Sequence, residues 1–160
     1  MKLFANGLMS MLQKAVVPGL LIAAAVIGAV AADKPVFTDP IDGKPIETPL
    51  KPGEMETPAL KKFKESGINV YRNDKSAVQS GKALYEKWCQ SCHNSDATGK
   101  IGPPLVGGNY IYPQTATDVG MFSIIYAGAS GAMQPFSKRD LTQDDMLKII
   151  AYIRSLDQKK

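Results

Sequence analysis

Histidine and cysteine are scarce in this chain of 160 residues, which contains one histidine and two cysteines. A structural zinc site uses four such ligands, so cysteine and histidine cannot complete one here. Basic residues only slightly outnumber acidic ones, and the densest basic cluster, Lys61, Lys62 and Lys64, is typical of a solvated helix face. These shortages argue against a zinc domain and against a nucleic-acid-binding protein.

All three scarce residues lie within five positions, Cys89-Gln90-Ser91-Cys92-His93. In the C-x-x-C-H pattern, each thiol adds to a vinyl group of a c-type haem and the imidazole becomes the proximal iron ligand. A thioredoxin-like pair is the first alternative, but residues 80–88 resemble a helix rather than a strand. A structural disulfide is the second, but it would close too small a loop to stabilise a fold much. We therefore expect one covalent haem, anchored by Cys89 and Cys92 and ligated by His93.

The first 32 residues predict a signal peptide that is cleaved. Residues 15–30 are nearly continuously apolar, and Ala29-Val30-Ala31-Ala32 is a small-residue cleavage signature. A retained anchor is the alternative, although a run of about sixteen residues falls short of the roughly 20 that span a bilayer. Cleavage before Ala32 or Asp33 leaves 17 basic residues (19 minus 2) and 15 acidic ones. This pattern predicts a periplasmic protein with no stable membrane insertion.

The exported chain is expected to divide into an arm, residues 33–73, and a haem domain, residues 74–160. The arm contains six of the eleven prolines and few large apolar residues, which is typical of an extended segment. One short helix is predicted within it: Thr57 is the N-cap, Pro58 the first helical residue and Gly67 the stop.

The haem domain is predicted to be all-α. Residues 77–88 and 117–127 each read as a helix, and a Thr142–Asp145 capping box starts a third, in which apolar residues recur at helical spacing. Gly81 would allow the first and last of these helices to approach closely where they cross. No segment shows the alternating pattern of a strand, so the fold class is all-α.

A methionine thioether is the natural second iron ligand, because His93 is already used and no free cysteine is left. Met133 lies in a loop that contains Gly and Pro between two predicted helices, so this loop can cross the distal haem face. Met121 and Met146 occupy core-like helical positions and Met55 lies in the arm, which favours packing roles for all three. His/Met ligation leaves no open iron position and predicts an electron carrier rather than an enzyme.

Several features together resemble a class I cytochrome c over residues 77–156. They are Gly81, Tyr85, the motif at 89–93, Gly102-Pro103, the Met133 loop and the final helix with Tyr152. The resemblance implies that residues 74–160 form a cytochrome c domain. It also implies that Met133 ligates iron and that the carbonyl of Pro103 accepts the Nδ1 proton of His93.

Residues 109–122 and 144–156, together with arm residues 67–71, are more specifically similar to the cytochrome cL family. Members of that family are periplasmic electron acceptors of methanol dehydrogenases that use pyrroloquinoline quinone, including lanthanide-dependent ones. They pass electrons to another cytochrome c or to an oxidase. The resemblance implies the same role here, in methanol oxidation. A general periplasmic cytochrome c for another dehydrogenase or an oxidase is the alternative, and a haem sensor or peroxidase-like protein is a third.

Overall fold

The computed structural model describes residues 33–157, so the predicted signal peptide lies outside the described residues. Within this range there are five α-helices: α1 (Pro58–Ser66), α2 (Lys75–Trp88), α3 (Gln90–His93), α4 (Asp118–Ala127) and α5 (Gln143–Asp157). Three 3-10 helices, Val70–Asn73, Pro113–Ala116 and Phe136–Lys138, separate them. The described range contains no β-strand, only an isolated bridge between Thr38 and Pro45. The all-α prediction is confirmed.

Helix α1 begins and ends as its sequence predicts. The Thr57 hydroxyl accepts a hydrogen bond from the Leu60 N–H at 3.1 Å, and Pro58 is the first helical residue. Gly67 ends the helix with φ 71°, a left-handed conformation that costs glycine little. Residues 70–73 add a 3-10 helix to the arm that the sequence analysis did not predict.

Aromatic packing fastens the arm to the haem domain. Phe37 of the arm lies 5.9 Å from Phe63 of α1 and 5.3 Å from Phe122 of α4, measured between ring centroids. Phe63 and Phe122 are themselves 5.3 Å apart and fully buried. Tilted contacts of this kind contribute beyond the apolar area they bury, so the arm enlarges the core of a small domain.

The longest helices, α2 and α5, cross at Gly81. Asp74 caps α2 by accepting hydrogen bonds from the N–H groups of Ser76 and Ala77, which starts the helix two residues earlier than predicted. A Cβ atom on Gly81 would lie 2.0 Å from the carbonyl oxygen of Lys148, so the predicted close approach is confirmed.

Helix α5 forms the centre of the core. Its start is the predicted capping box: the Thr142 hydroxyl and the Asp145 carboxylate lie 2.7 Å apart, and the Asp145 N–H donates to that hydroxyl. The apolar face is buried to within about one per cent at Met146, Ile149, Ile150 and Ile153. Among residues 33–157, no helix combines the length and the apolar character needed to cross a membrane.

A buried carboxylate at the start of α5 joins the arm to this helix. Asp144 accepts hydrogen bonds from the hydroxyls of Thr57 and Tyr71, the latter at 2.9 Å, and pairs with Lys148 at 2.8 Å. Burial alone would raise the pKa of Asp144, but hydrogen bonds from Lys148, Thr57 and Tyr71 outweigh it and lower the pKa. The folded protein therefore favours the ionised carboxylate.

We expect Asp144→Asn to lower the free energy of unfolding at neutral pH by about 1–3 kcal/mol, because it removes a charge-assisted hydrogen-bond acceptor. The pKa of Asp144 is lowered on folding, so its stabilisation is present above the unfolded pKa of about 4 and is lost as pH falls through the folded pKa. Urea unfolding at pH 7 and about pH 3 measures this, with the exposed Asp140→Asn as control. If Asp144→Asn loses the same free energy of unfolding at both pH values, Asp144 does not stabilise the fold as an ionised carboxylate.

Candidate haem site

One cavity of about 540 Å³ brings together all five residues that the sequence analysis assigned to haem binding. Cys89, Cys92, His93, Pro103 and Met133 all line it. The rest of the wall is mostly apolar and includes isoleucines from α4 and α5. A concave, largely apolar space with a few converging ligand groups is the usual form of a cofactor site.

The two cysteines lie where α2 gives way to the single turn of α3. The N–H groups of Cys92 and His93 both donate to the carbonyl of Cys89, at 3.1 Å and 3.0 Å, which folds the motif into a helical turn. The cysteines are not joined by a disulfide. Burial, with a smaller contribution from Cys92, raises the pKa of Cys89 to about 12. A redox-active thiol needs a lowered pKa, so this environment suits an uncharged thioether better.

His93 is buried and held in one orientation. Its Nδ1 lies 2.9 Å from the carbonyl oxygen of Pro103, and because a carbonyl can only accept, Nδ1 must carry the donated proton. The lone pair of Nε2 is then free to bind a metal, and such a hydrogen bond also makes the imidazole a stronger ligand.

Glycine at position 102 makes this contact possible. A Cβ atom there would lie 2.6 Å from Cε1 of His93, well inside van der Waals contact. The N–H of Gly102 also donates to the carbonyl of Cys92 at 2.8 Å, which holds the proximal segment against the motif. Any side chain at position 102 would displace the ring or the segment.

Two methionines line the cavity, not one. Met133 is half-buried in the loop of residues 128–135, whereas Met121 is 2% exposed and lies on α4. Burial of Met121 agrees with its predicted place in the core, but sequence periodicity gave no sign that it also faces the cavity. Met146 is buried elsewhere and Met55 is 82% exposed.

Side chains that the sequence analysis did not single out complete the wall. Trp88 and Phe136 line the cavity and meet edge to face, with ring centroids 6.0 Å apart. Arg139 and Tyr112 also line it. Two signals were available: Trp88 is next to Cys89, and Tyr112 lies in the family-like segment 109–122. Phe136 and Arg139 reach the cavity through the course of the chain after Met133, which no local pattern indicates.

The residues present fit a covalently attached haem. Two thiols three positions apart on one helical turn, an oriented imidazole and a thioether open onto one apolar cavity. The position of the His93 imidazole depends on Gly102, because only a hydrogen atom fits in the place of a side chain at that residue.

Comparison with known proteins identifies the family. The crystal structure of cytochrome cL from the marine methylotrophic bacterium Methylophaga aminisulfidivorans superposes with a TM-score of 0.72 at 35% identity, covering 76% of this chain and 81% of that one. The chain belongs to the cytochrome cL family. Cytochrome cL from Hyphomicrobium denitrificans gives a TM-score of 0.67 at 34% identity, with coverage of 76% and 73%. These neighbours confirm the class I cytochrome c fold.

Sequence relatives agree with this assignment to cytochrome cL. Cytochrome c-L of Methylorubrum extorquens is 43% identical over 122 residues, which are 76% of this chain but 61% of that relative's length. Residues 76–153 match the family model described as cytochrome c oxidase, cbb3-type, subunit III. A cbb3-type oxidase subunit from Azospirillum brasilense is 31% identical over 97 residues, 56% of this chain and 32% of that one. The protein is therefore a c-type cytochrome.

Proposed function

We propose that this member of the cytochrome cL family is a periplasmic mono-haem carrier that accepts single electrons from a pyrroloquinoline quinone methanol dehydrogenase. It passes them to another cytochrome c or to an oxidase. The observation that carries this proposal is the single cavity that gathers Cys89, Cys92, His93 and Met133. The cytochrome cL relatives support the choice of donor.

Each residue has a defined task in this proposal. Haem, when bound, supplies an iron that cycles between the ferrous and ferric states. Cys89 and Cys92 would anchor it covalently, and His93, oriented by its 2.9 Å hydrogen bond to the Pro103 carbonyl, would bind its iron together with Met133. Because these two side chains would leave no iron position open to a substrate, we propose a carrier and not an enzyme.

Export supports the proposed location. Haem is attached to C-x-x-C-H proteins outside the cytoplasm, and residues 1–32 have the sequence pattern of a cleaved signal peptide. The periplasm is also where the proposed methanol dehydrogenase partner acts. We therefore propose that the working protein begins near Asp33.

The proposed docking surface is the mouth of the haem cavity. Ile101 and Ile111 line the cavity and are nonetheless 77% and 69% exposed. Large apolar side chains exposed together beside a cofactor are typical of a contact surface. A donor that covers them would lie directly against the wall of the haem cavity.

We expect rapid reduction of the oxidised holoprotein when it is mixed with methanol and either a calcium-type or a lanthanide-type methanol dehydrogenase. Stopped-flow absorbance of the haem measures the rate, and mixtures without methanol serve as the control. A large difference between the two enzymes would name the pairing. If neither reduces a normal low-spin protein, the methanol dehydrogenase assignment is wrong and the general periplasmic carrier takes its place.

A further inference from the structure

The loop that carries Met133 has few connections to the rest of the molecule. Within the loop, the Ala129 N–H donates to the Met133 carbonyl at 3.1 Å. Gly128 packs against the same carbonyl so closely that a Cβ atom there would lie 2.8 Å from it. These contacts shape the turn but do not fix it to any other segment of the cavity wall.

Tyr112 makes that connection. Its hydroxyl lies 2.6 Å from Oγ of Ser130, and the Ser130 N–H donates to the same hydroxyl at 3.2 Å. Across the described part of the chain, loop residues 129–134 make no other hydrogen bond to a residue outside the loop. Tyr112, Ser130 and Met133 all line the same cavity, so this bond joins the loop to a second segment of the cavity wall.

The turn that follows Tyr112 is held in place by hydrogen bonds to α5. The Thr115 N–H donates to the Tyr112 carbonyl at 2.9 Å, closing the 3-10 turn that begins at Pro113. Arg154 of α5 donates to the Thr115 carbonyl at 2.7 Å and forms a buried ion pair with Asp118 at 2.9 Å. The turn is thereby tied to the core helix.

We infer that Tyr112 is a positioning residue that holds Met133 at the distal side of the haem through Ser130. This inference rests on the proposed function, in which Met133 is the second axial ligand. An iron–thioether bond is weak, so its occupancy depends on how strongly the protein holds the loop in place. We call the two hydrogen bonds between Tyr112 and Ser130 the clamp. By holding Met133 in place, the clamp keeps small molecules from the iron and preserves the carrier role.

Loss of the clamp should increase the fraction of molecules in which the loop is open. Tyr112→Phe removes both hydrogen bonds, and Ser130→Ala removes one, because the Ser130 N–H still reaches the tyrosine hydroxyl. We expect the affinity of the ferric holoprotein for imidazole to rise roughly 30-fold in the first variant and roughly fivefold in the second. Ser130→Ala should add nothing once Tyr112 is phenylalanine, since both changes break one connection.

Optical titration of the ferric holoprotein with imidazole measures this. Tyr110→Phe is the matched control, because its hydroxyl bonds Asp157 at 3.4 Å and the residue does not line the cavity. A Tyr112→Phe variant with wild-type imidazole affinity and only a lowered free energy of unfolding would show a purely structural role and overturn the inference. An equal rise in Tyr110→Phe would overturn it too.

Met133→Ala in the same titration separates failure of the clamp from failure of the ligand assignment. If Met133→Ala and wild type bind imidazole equally, methionine ligation by this residue fails, and with it the basis of the inference. If Met133→Ala binds far more tightly while Tyr112→Phe matches wild type, the ligand assignment stands and the clamp alone is wrong.

Discussion

Replacement of Met133 by alanine is expected to abolish the low-spin spectrum and to lower the reduction potential by on the order of 0.1 V. A soft thioether stabilises ferrous iron relative to ferric iron, so its loss shifts the balance toward the oxidised state. The ferrous variant should also bind carbon monoxide, which the wild-type protein should resist. Absorption spectra and a redox titration measure both effects.

Met121→Leu is the control for this experiment, because Met121 is the other methionine on the cavity wall. Leucine conserves the volume of this buried side chain, so the cost in stability should stay below about 1.5 kcal/mol. The spectrum and the potential should not change. If Met133→Ala keeps the low-spin spectrum while Met121→Leu loses it, Met121 is the ligand and the loop has another role.

The second large effect is expected at the crossing of α2 and α5. Gly81→Ala should lower the free energy of unfolding by at least about 3 kcal/mol, since the new methyl group would lie 2.0 Å from the carbonyl oxygen of Lys148 and 2.5 Å from its carbon. Both are backbone atoms of a regular helix, so relief requires the helices to move apart. The melting temperature should fall by on the order of 10 °C.

The sign of the change in the free energy of unfolding shows whether the two helices cross at Gly81. In an ordinary helix interior, replacing glycine with alanine stabilises by roughly 0.5–1 kcal/mol. Ser80→Ala, on the exposed side of the same helix, should change stability by no more than about 0.5 kcal/mol. Urea unfolding, followed by circular dichroism, compares the wild-type, Gly81→Ala and Ser80→Ala holoproteins. A Gly81→Ala protein as stable as Ser80→Ala would mean that the helices cross elsewhere.

Much of the secondary structure could be predicted, because helix ends depend on side chains within a few residues. Thr57, Pro58 and Gly67 bound α1 as predicted, and Thr142 with Asp145 starts α5. The 3-10 helix at residues 70–73 was missed, since a single turn capped by Asn69 carries no apolar periodicity.

Some of the candidate site could not be predicted. Met121 has helical spacing and is buried, so its sequence pattern is the same whether it packs against protein or faces the haem cavity. The hydrogen bond between Tyr112 and Ser130 joins residues 18 positions apart. Its existence depends on where the turn and the loop lie, which no local pattern encodes.

Local sequence was enough to predict the haem-attachment motif, the all-α class and most helix ends. Five consecutive residues suffice to place two thiols and an imidazole on one helical turn, and each cap acts over three or four positions. Which side chains share the cavity and how the arm is held depend instead on tertiary packing, as in the bond between Thr57 and Asp144 across 87 positions. Those contacts depend on the angle and depth at which the helices pack, and that is a property of the whole core.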